Sequence, residues 1–208
     1  VLRLESGVES TESMTPEIIE AVAQKDMGVI SRGYMEAAGY RLGDSPYFID
    51  KLPFNFLYAG FIARAWPEAR IVSLVRNPMD SCFSMYKQVF TWAYKYSYSL
   101  DLLGPYFVAY ERLRNHWRAV LGERYIEVVY EDLVADQEQQ TRQLLDRVGL
   151  DFEDACLNFD KNRAPTATAS NIQVREKAHT RSVQRWKRFE RQLQPLREYL
   201  EKAGIAVE

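Results

Sequence analysis

The sequence predicts an α/β protein with parallel strands. Two apolar runs rich in β-branched residues, at positions 70–76 and 125–130, are each followed by a segment of helical character. Strands that alternate with helices are typical of parallel sheets covered by their crossover helices. Because the first run is almost continuously apolar, we expect it to be a buried strand at the centre of the sheet.

The other elements follow from periodicity and capping residues. Thr15 and Pro16 predict the start of a helix that extends to about residue 38 and is interrupted or bent near Gly28 and Gly33. A short strand is predicted at positions 46–51. Further helices are predicted at 54–65, 78–90, 102–121, 136–148 and 183–203, the last broken near Pro195. The stretch 158–180 has no clear period and predicts a long, functional or disordered loop.

Length and composition indicate one folded domain overall. The chain has 208 residues, of which 47 % are hydrophobic and 13 % aromatic, enough for a sizeable core. We divide it into an N-terminal helical segment at 1–45 and a main body at 46–208. The formal net charge of −2 gives no general attraction to nucleic acid or to an anionic membrane surface. Any anion site must therefore be local.

Two cysteines and two histidines are too few for a disulfide scaffold or a histidine-rich metal site. We predict that no metal is needed. The sequence contains no apolar run long enough to span a bilayer and does not begin with a signal peptide, so we expect a cytoplasmic protein. Because it begins with Val1 and not with Met, we also expect that it is cut from a longer chain.

A candidate anion site follows the first predicted strand. Ligands of parallel sheets bind at the carboxyl ends of the strands, where Arg76 lies. Asn77 can cap the next helix, Pro78 can take its first position, and Ser84 lies on its second turn. A helix N-terminus and a guanidinium both suit phosphate. The structural alternative is that Arg76 pairs with Asp80 and that Ser84 merely faces solvent.

Several segments resemble the sulfotransferase family in their order and spacing. They are Asp50-Lys51-Leu52-Pro53, Trp66-Pro67-Glu68-Ala69-Arg70, Val75-Arg76-Asn77-Pro78, Ser84-Met85, Tyr130-Glu131-Asp132-Leu133, Ser170 with Gln173-Val174, and Arg185-Trp186. The resemblance is strongest to the branch of protein-tyrosine sulfotransferases and bacterial sulfotransferase domains linked to tetratricopeptide repeats. It implies a P-loop-NTPase-like α/β fold with a central parallel sheet flanked by helices. It also implies transfer of a sulfuryl group from 3′-phosphoadenosine 5′-phosphosulfate (PAPS) to a hydroxyl or amine.

The resemblance assigns roles to seven side chains. Two are implied in catalysis: Lys51, which stabilises charge near the transferring sulfuryl group, and Ser170, near the bridging oxygen. Five are implied in binding PAPS: Arg76 and Ser84 at the 3′-phosphate, Tyr130 in the adenosine pocket, Gln173 in a flap over the nucleotide, and Arg185 on a donor phosphate.

Each of these residues also has an interpretation without function. Lys51 can be a surface lysine paired with Asp50, and Tyr130 can belong to the core. Ser170 lies in a loop rich in Thr, Ala and Ser, where serine is common. Arg185 on a helix can simply be solvated. These interpretations remain open from the sequence alone.

The sequence departs from the family pattern at its start. The family's first strand and its 5′-phosphosulfate loop are missing, and the catalytic glutamate is expected before Val1. One contact position holds Gln88 where relatives carry Arg, and Lys87 is a substitute. We therefore expect this chain alone to bind the donor weakly. The alternative function is a non-catalytic sulfotransferase-like module that has lost the loop.

The partners implied are a small-molecule, peptide or sugar acceptor, without nucleic acid. We also consider a homodimer and fusion to an upstream helical-repeat region. A further class, a helical scaffold, draws on the aromatic run at positions 92–98, which includes Tyr94, Tyr96 and Tyr98. That run can be an exposed patch for a partner or a helix face in the core.

Overall fold

The computed structural model describes residues 2–9, 15–39, 45–90, 94–161 and 177–208. They divide into two compact units, Val1–Ile71 and Val72–Glu208. The division that the sequence predicts, between 45 and 46, stays a prediction. No helix among the described residues has the length and apolar character that a membrane span requires.

The described residues of the first unit form four α-helices. They are α1 (Leu2–Ser6), α2 (Pro16–Ala23), α3 (Met27–Ala38) and α4 (Asn55–Ala65). Apolar residues of α2 and α3 form its buried centre, against which Phe61 of α4 packs. The buried members are Ile18, Val22, Met27 and Ile30.

The helix predicted from Thr15 to about residue 38, interrupted or bent near Gly28 and Gly33, is two helices that are interrupted between Ala23 and Met27. Thr15 does cap α2, since its Oγ1 accepts the N–H of Ile18 at 3.4 Å. A second cap, Asp26, accepts the N–H of Gly28 at 3.0 Å and starts α3. A side chain that bonds the backbone in this way favours a new helix start over continuation.

The strand predicted at positions 46–51 is also wrong, because this segment has no regular secondary structure. Ile49 is 93 % exposed, although the sequence pattern places it in a strand. A strand requires a hydrogen-bonded neighbour. Among the described residues, the sheet contains two strands, and neither comes from this segment.

In the second unit, the part that the structure describes combines this two-stranded parallel sheet with five α-helices. The strands are β1 (Ile71–Val75) and β2 (Tyr125–Val129). The helices are α5 (Pro78–Tyr86), α6 (Leu100–Leu121), α7 (Tyr130–Ala135), α8 (Gln137–Val148) and α9 (Glu190–Lys202). The core lies where α5, α6 and α9 meet around the buried indole of Trp186.

The prediction that β1 is a buried, central strand does not hold for the described residues. Val72 is 47 % exposed and Leu74 is 57 % exposed, so one face of β1 is open. A strand is central only when it has a neighbour on each edge, and β1 pairs with β2 alone among the described strands. An α/β chain with a small parallel sheet is the part of the fold prediction that the structure supports.

Several predicted helix ends also shift. Helix α5 ends at Tyr86, before the predicted residue 90. The predicted helix 183–203 begins as a 3₁₀ helix, Arg185–Phe189, and becomes α-helical at Glu190. Gln184 has a left-handed backbone (φ 54°), which prevents a continuous helix from residue 183. Pro195 lies inside α9 and does not break it.

Candidate anion-binding site

The candidate site lies at the edge of the sheet where both strands end. The chain leaves β1 at Val75 and passes through Arg76 and Asn77 into α5. It leaves β2 at Val129 and enters α7 directly at Tyr130. Because parallel strands end at the same edge, these two junctions lie side by side.

The guanidinium of Arg76 is held on two sides. Its Cζ lies 4.8 Å from the centroid of the Tyr130 ring, in a cation–π contact. One terminal N–H donates to the carbonyl oxygen of Ser182 at 2.5 Å. Within the described residues, its Nε is buried without a hydrogen-bond partner. Most buried donors of folded proteins have a partner, so this atom is an exception.

Asn77 fixes the start of α5 through three hydrogen bonds. Its Oδ1 accepts the N–H of Asp80 at 3.1 Å, which confirms the predicted cap. Its Nδ2 donates to the carbonyl of Val207 at 2.9 Å, and its backbone N–H donates to Glu131 Oε1 at 2.9 Å. The helix N-terminus therefore has a defined position beside Arg76.

Asp80 does not pair with Arg76, so the structural alternative for Arg76 is wrong. The carboxylate is 1 % exposed. Its Oδ2 accepts the N–H of Gln184 at 2.6 Å, and its Oδ1 accepts the N–H of Trp186 at 3.0 Å. Both carboxylate oxygens are thus used by the backbone on either side of Arg185.

Three cations gather near α5: Arg76, Lys87 and Arg185, which we call the cation cluster. Burial first, and then the charges of Arg185 and Arg76, lower the pKa of Lys87, while Asp80 acts in the opposite direction. Both guanidiniums therefore lie close enough to interact electrostatically with the Lys87 ammonium. Among the described residues, no carboxylate forms an ion pair with any of the three.

Ser84 lies between Asp80 and Lys87 on the same face of α5. The spacings of four and three residues place these side chains one above the other along the helix. Ser84 is half-buried, so its hydroxyl is not enclosed. A fork of guanidinium donors, an ammonium, a hydroxyl and a helix start suit a phosphate dianion better than they suit a neutral ligand.

The structure brings together Arg76, Ser84, Tyr130 and Arg185 in one unit. Ser170 and Gln173 lie outside the described residues. Tyr130 is half-buried beneath a cation, so it is not a simple core residue as the structural alternative suggests.

Lys51 lies in the first unit and is exposed. Its neighbour Asp50 accepts a hydrogen bond from the Tyr34 hydroxyl at 2.8 Å. Burial, then this hydrogen bond and the charge of Asp50, raise the pKa of Tyr34 to about 12. An ion pair between Lys51 and Asp50 is not found among the described residues. The structure therefore gives Asp50 a different partner from the one in the structural alternative for Lys51.

The middle of the aromatic run, at Tyr96 and Ser97, packs against the core. The Tyr96 ring stacks on Tyr106 of α6 with centroids 3.5 Å apart, and Ser97 is fully buried. Burial, followed by the hydrogen bond with Tyr106, raises the pKa of Tyr96. Tyr98 remains 47 % exposed. The core interpretation thus fits Tyr96, whereas Tyr98 faces solvent.

Sequence reasoning missed the roles of Asp80 and Glu131 at this site. Helical spacing does place Asp80 on the face of Ser84. However, the backbone groups that Asp80 binds are 104 and 106 positions away along the chain. Glu131 likewise binds a backbone N–H from a different junction, 54 positions away. Any residue type can supply a backbone N–H, so the sequence of the partner segment does not indicate such a contact.

Comparisons with known proteins agree with the resemblance. A family model described as "Sulfotransferase family" matches residues 2–154. That range includes Lys51, Arg76, Ser84 and Tyr130 and ends before Ser170. A protein from Aquifex aeolicus (strain VF5), named "Uncharacterized protein", is 30 % identical over 189 residues. The match covers 89 % of this chain and 25 % of that protein, so the chain spans about a quarter of its relative's length.

Proposed function

Because the chain belongs to the sulfotransferase family, we propose that it is part of an enzyme that transfers a sulfuryl group from PAPS to an acceptor hydroxyl or amine. The observation that supports this best is the cation cluster beside Ser84, at the end of a parallel strand. PAPS carries a 3′-phosphate that requires such a site. Because the chain spans about a quarter of that relative's length, we propose this activity for the whole protein and not for these 208 residues alone.

In this proposal, the second unit holds the nucleotide end of the donor. Arg76 offers planar donors to two oxygens of the 3′-phosphate, and Ser84 adds a hydroxyl. The Tyr130 ring orients the guanidinium from below and borders the adenosine. Arg185 neutralises a second phosphate charge, and Gln173 contributes from the flap.

PAPS supplies an activated sulfuryl group, and the chain's own residues orient it and stabilise charge. Negative charge develops on the oxygen that bridges phosphorus and sulfur. An ammonium such as that of Lys51 stabilises such charge electrostatically, and the Ser170 hydroxyl can add a hydrogen bond. The acceptor's proton goes to a base that these residues do not include. We propose no metal for this transfer.

The direct test is calorimetric titration with 3′-phosphoadenosine 5′-phosphate, the nucleotide product. Adenosine 5′-phosphate, which lacks the 3′-phosphate, is the matched ligand. The proposal expects the product to bind at least about tenfold more tightly than the matched ligand, as for one charge-assisted contact. Equal affinities in the full-length protein would contradict it. Submicromolar binding by the 208 residues alone would contradict our expectation of a weak donor site.

A second test concerns Lys51 in the full-length protein. If its charge acts in the transition state, Lys51→Ala lowers kcat much more than it lowers product-nucleotide affinity. Lys25→Ala, at another exposed lysine of the first unit, is the control and leaves both unchanged. Normal turnover by Lys51→Ala would remove the assignment.

The alternative is a module that binds the nucleotide without transferring sulfate. One observation supports it: the described residues of the second unit that have a predicted role are all predicted to bind the donor, not to act in catalysis. Full-length protein that binds the product nucleotide but sulfates no small-molecule, peptide or sugar acceptor would support this alternative. A cytoplasmic location, a homodimer and an upstream helical-repeat fusion remain proposals to be tested with the full-length chain.

A further inference from the structure

Asp80 is a buried charge that the proposed chemistry does not use. Its carboxylate is 1 % exposed and lies in the first turn of α5. Burial of a carboxylate costs free energy unless hydrogen bonds and favourable dipoles stabilise it. Here the α5 N-terminus and two backbone N–H groups, those of Gln184 and Trp186, provide this stabilisation.

These two N–H groups flank Arg185, whose own side chain is exposed. Among the described residues, no carboxylate forms an ion pair with Arg185. The direction of the Arg185 side chain therefore depends on the conformation of its own backbone. Gln184 has a left-handed backbone at φ 54° and ψ 24°, which costs free energy for any residue other than glycine. A hydrogen bond from its N–H to a buried carboxylate stabilises this turn.

The segment from Ser182 to Trp186 is thus tied to the β1–α5 junction at three points. Arg76 binds the carbonyl of Ser182 at 2.5 Å, and Asp80 binds the backbone at 184 and 186. The indole of Trp186, 1 % exposed in the core, anchors the far end. Arg185 is therefore the exposed residue between two fixed neighbours.

We propose that Asp80 is a positioning residue, which holds Arg185 in the cation cluster by binding the backbone on both sides of it. The proposal rests on the proposed function, because it assumes that Arg185 contacts a donor phosphate. Lys87 agrees with this geometry, since its pKa is lowered first by burial and next by the charge of Arg185. The groups that face Lys87 are Arg76, Arg185 and the opposing Asp80.

The test measures the affinity of full-length protein for 3′-phosphoadenosine 5′-phosphate in a double-mutant cycle. Asp80→Asn keeps one acceptor oxygen but replaces the other with an amide nitrogen that cannot accept. We expect about tenfold weaker binding, close to the effect of Arg185→Ala. In the Arg185→Ala background, Asp80→Asn then changes affinity by less than about twofold, because the residue it positions is gone. A purely structural effect would instead persist in that background.

Two further variants separate positioning from stability. Asp136→Ala removes a comparable bond from side chain to backbone, since Asp136 caps α8 by accepting the N–H of Gln139 at 3.1 Å. It should lower stability and leave affinity unchanged. Gln184→Gly relaxes the left-handed turn, so the pair Asp80→Asn with Gln184→Gly should recover part of the affinity. Where Asp80→Asn does not fold, Asp80→Glu moves both acceptors outward and should weaken binding by the same route.

Several outcomes would overturn the inference. One is unchanged affinity of Asp80→Asn while Arg185→Ala binds more weakly, and another is additive losses in the double variant. If the parent protein does not bind the nucleotide, or if neither Arg76→Ala nor Arg185→Ala affects binding, the proposed function itself fails and this inference fails with it. The single variants therefore distinguish the two failures.

Discussion

The two strand-to-helix junctions of the second unit lie at one edge of the sheet but are built differently. Between β1 and α5 the chain inserts Arg76 and Asn77, and Asn77 caps the helix with its side chain. Between β2 and α7 there is no linking residue, and α7 has no side-chain cap. The first junction supplies a cation and a capped helix start, whereas the second supplies an aromatic ring and an acid.

Residues of the second junction contact Arg76 and Asn77 of the first junction and fix their positions. Its Tyr130 lies beneath the Arg76 guanidinium, and its Glu131 accepts the N–H of Asn77. Cationic side chains are long and flexible, so charge alone gives a site with poor geometry. We infer that neutral and acidic residues on neighbouring segments determine the geometry of the candidate anion site. The following variants test that division of roles.

The largest effect is expected at the first junction. Arg76→Ala should weaken binding of 3′-phosphoadenosine 5′-phosphate by about 1.5–3 kcal/mol, because it removes a charge-assisted, two-donor contact. Arg76→Lys keeps the charge but loses the planar pair of donors. Its affinity for the nucleotide should therefore lie between that of the parent and that of Arg76→Ala. Calorimetric titration measures both.

Arg142→Ala is the matched control for Arg76→Ala. Arg142 also stacks on an aromatic ring, with its Cζ 3.6 Å from the Phe152 centroid, but it lies on α8. It should leave nucleotide affinity unchanged. Equal losses for the two arginine variants would indicate a general effect of net charge and would contradict a local site.

The next effect is expected at the second junction. Glu131→Ala leaves the Asn77 N–H without its acceptor, which should lower the free energy of unfolding by about 1–2 kcal/mol. Glu131→Gln retains an acceptor oxygen and should lose much less. Urea denaturation gives both values. If the glutamine and alanine variants are equally destabilised, the charge of Glu131 and not its hydrogen bond is the important property.

The sequence predicts the first junction well because its signals are local. Asn77 and Pro78 are a capping pair, Arg76 ends an apolar run, and α5 begins where the pattern places it. The same holds for α8, which begins after the Asp136 cap and ends at Gly149 with φ 77°. Such elements depend on residues within a few positions of one another.

The features that the sequence did not predict depend on distant partners. The run at positions 46–51 has strand-like residues but no neighbouring strand among the described ones. Asp80 is bound to the backbone of residues far along the chain, and Gln184 adopts a left-handed turn that no local glycine indicates. Tertiary hydrogen bonds determine these conformations, and they have no periodic pattern.

A smaller effect is expected from the ring beneath Arg76. Tyr130→Leu keeps apolar bulk but removes the cation–π contact, which is worth about 0.5–1 kcal/mol at a partly exposed site. Tyr130→Phe keeps the ring and should behave almost as the parent does. Nucleotide affinity measures the difference. Equal losses in the two variants would show that the hydroxyl, and not the ring face, matters.

The smallest effect, and the most diagnostic in sign, is expected at Lys87. The pKa of Lys87 is lowered, chiefly by burial and then by Arg185 and Arg76, so its charge is unfavourable in the folded protein without a ligand. Lys87→Gln should therefore stabilise the protein slightly, by less than about 0.5 kcal/mol because solvent screens an exposed charge. The same variant should weaken nucleotide binding. Lys202→Gln, in the last turn of α9, is the control and should give no gain, because a cation there is favourable to the helix.

The pH dependence of Lys87→Gln follows from the direction of the pKa shift. Below the lowered pKa, Lys87 is charged in both folded and unfolded protein, and the parent carries the full penalty relative to the variant. Between that pKa and the ordinary lysine value of 10.5, the folded state loses its proton first, so the parent gains stability as pH rises. The advantage of the variant should accordingly shrink in that range and vanish above it. Chemical denaturation at a series of alkaline pH values measures this. A variant that is less stable than the parent at neutral pH would show that Lys87 is paired in the folded protein, and would remove it from the cation cluster.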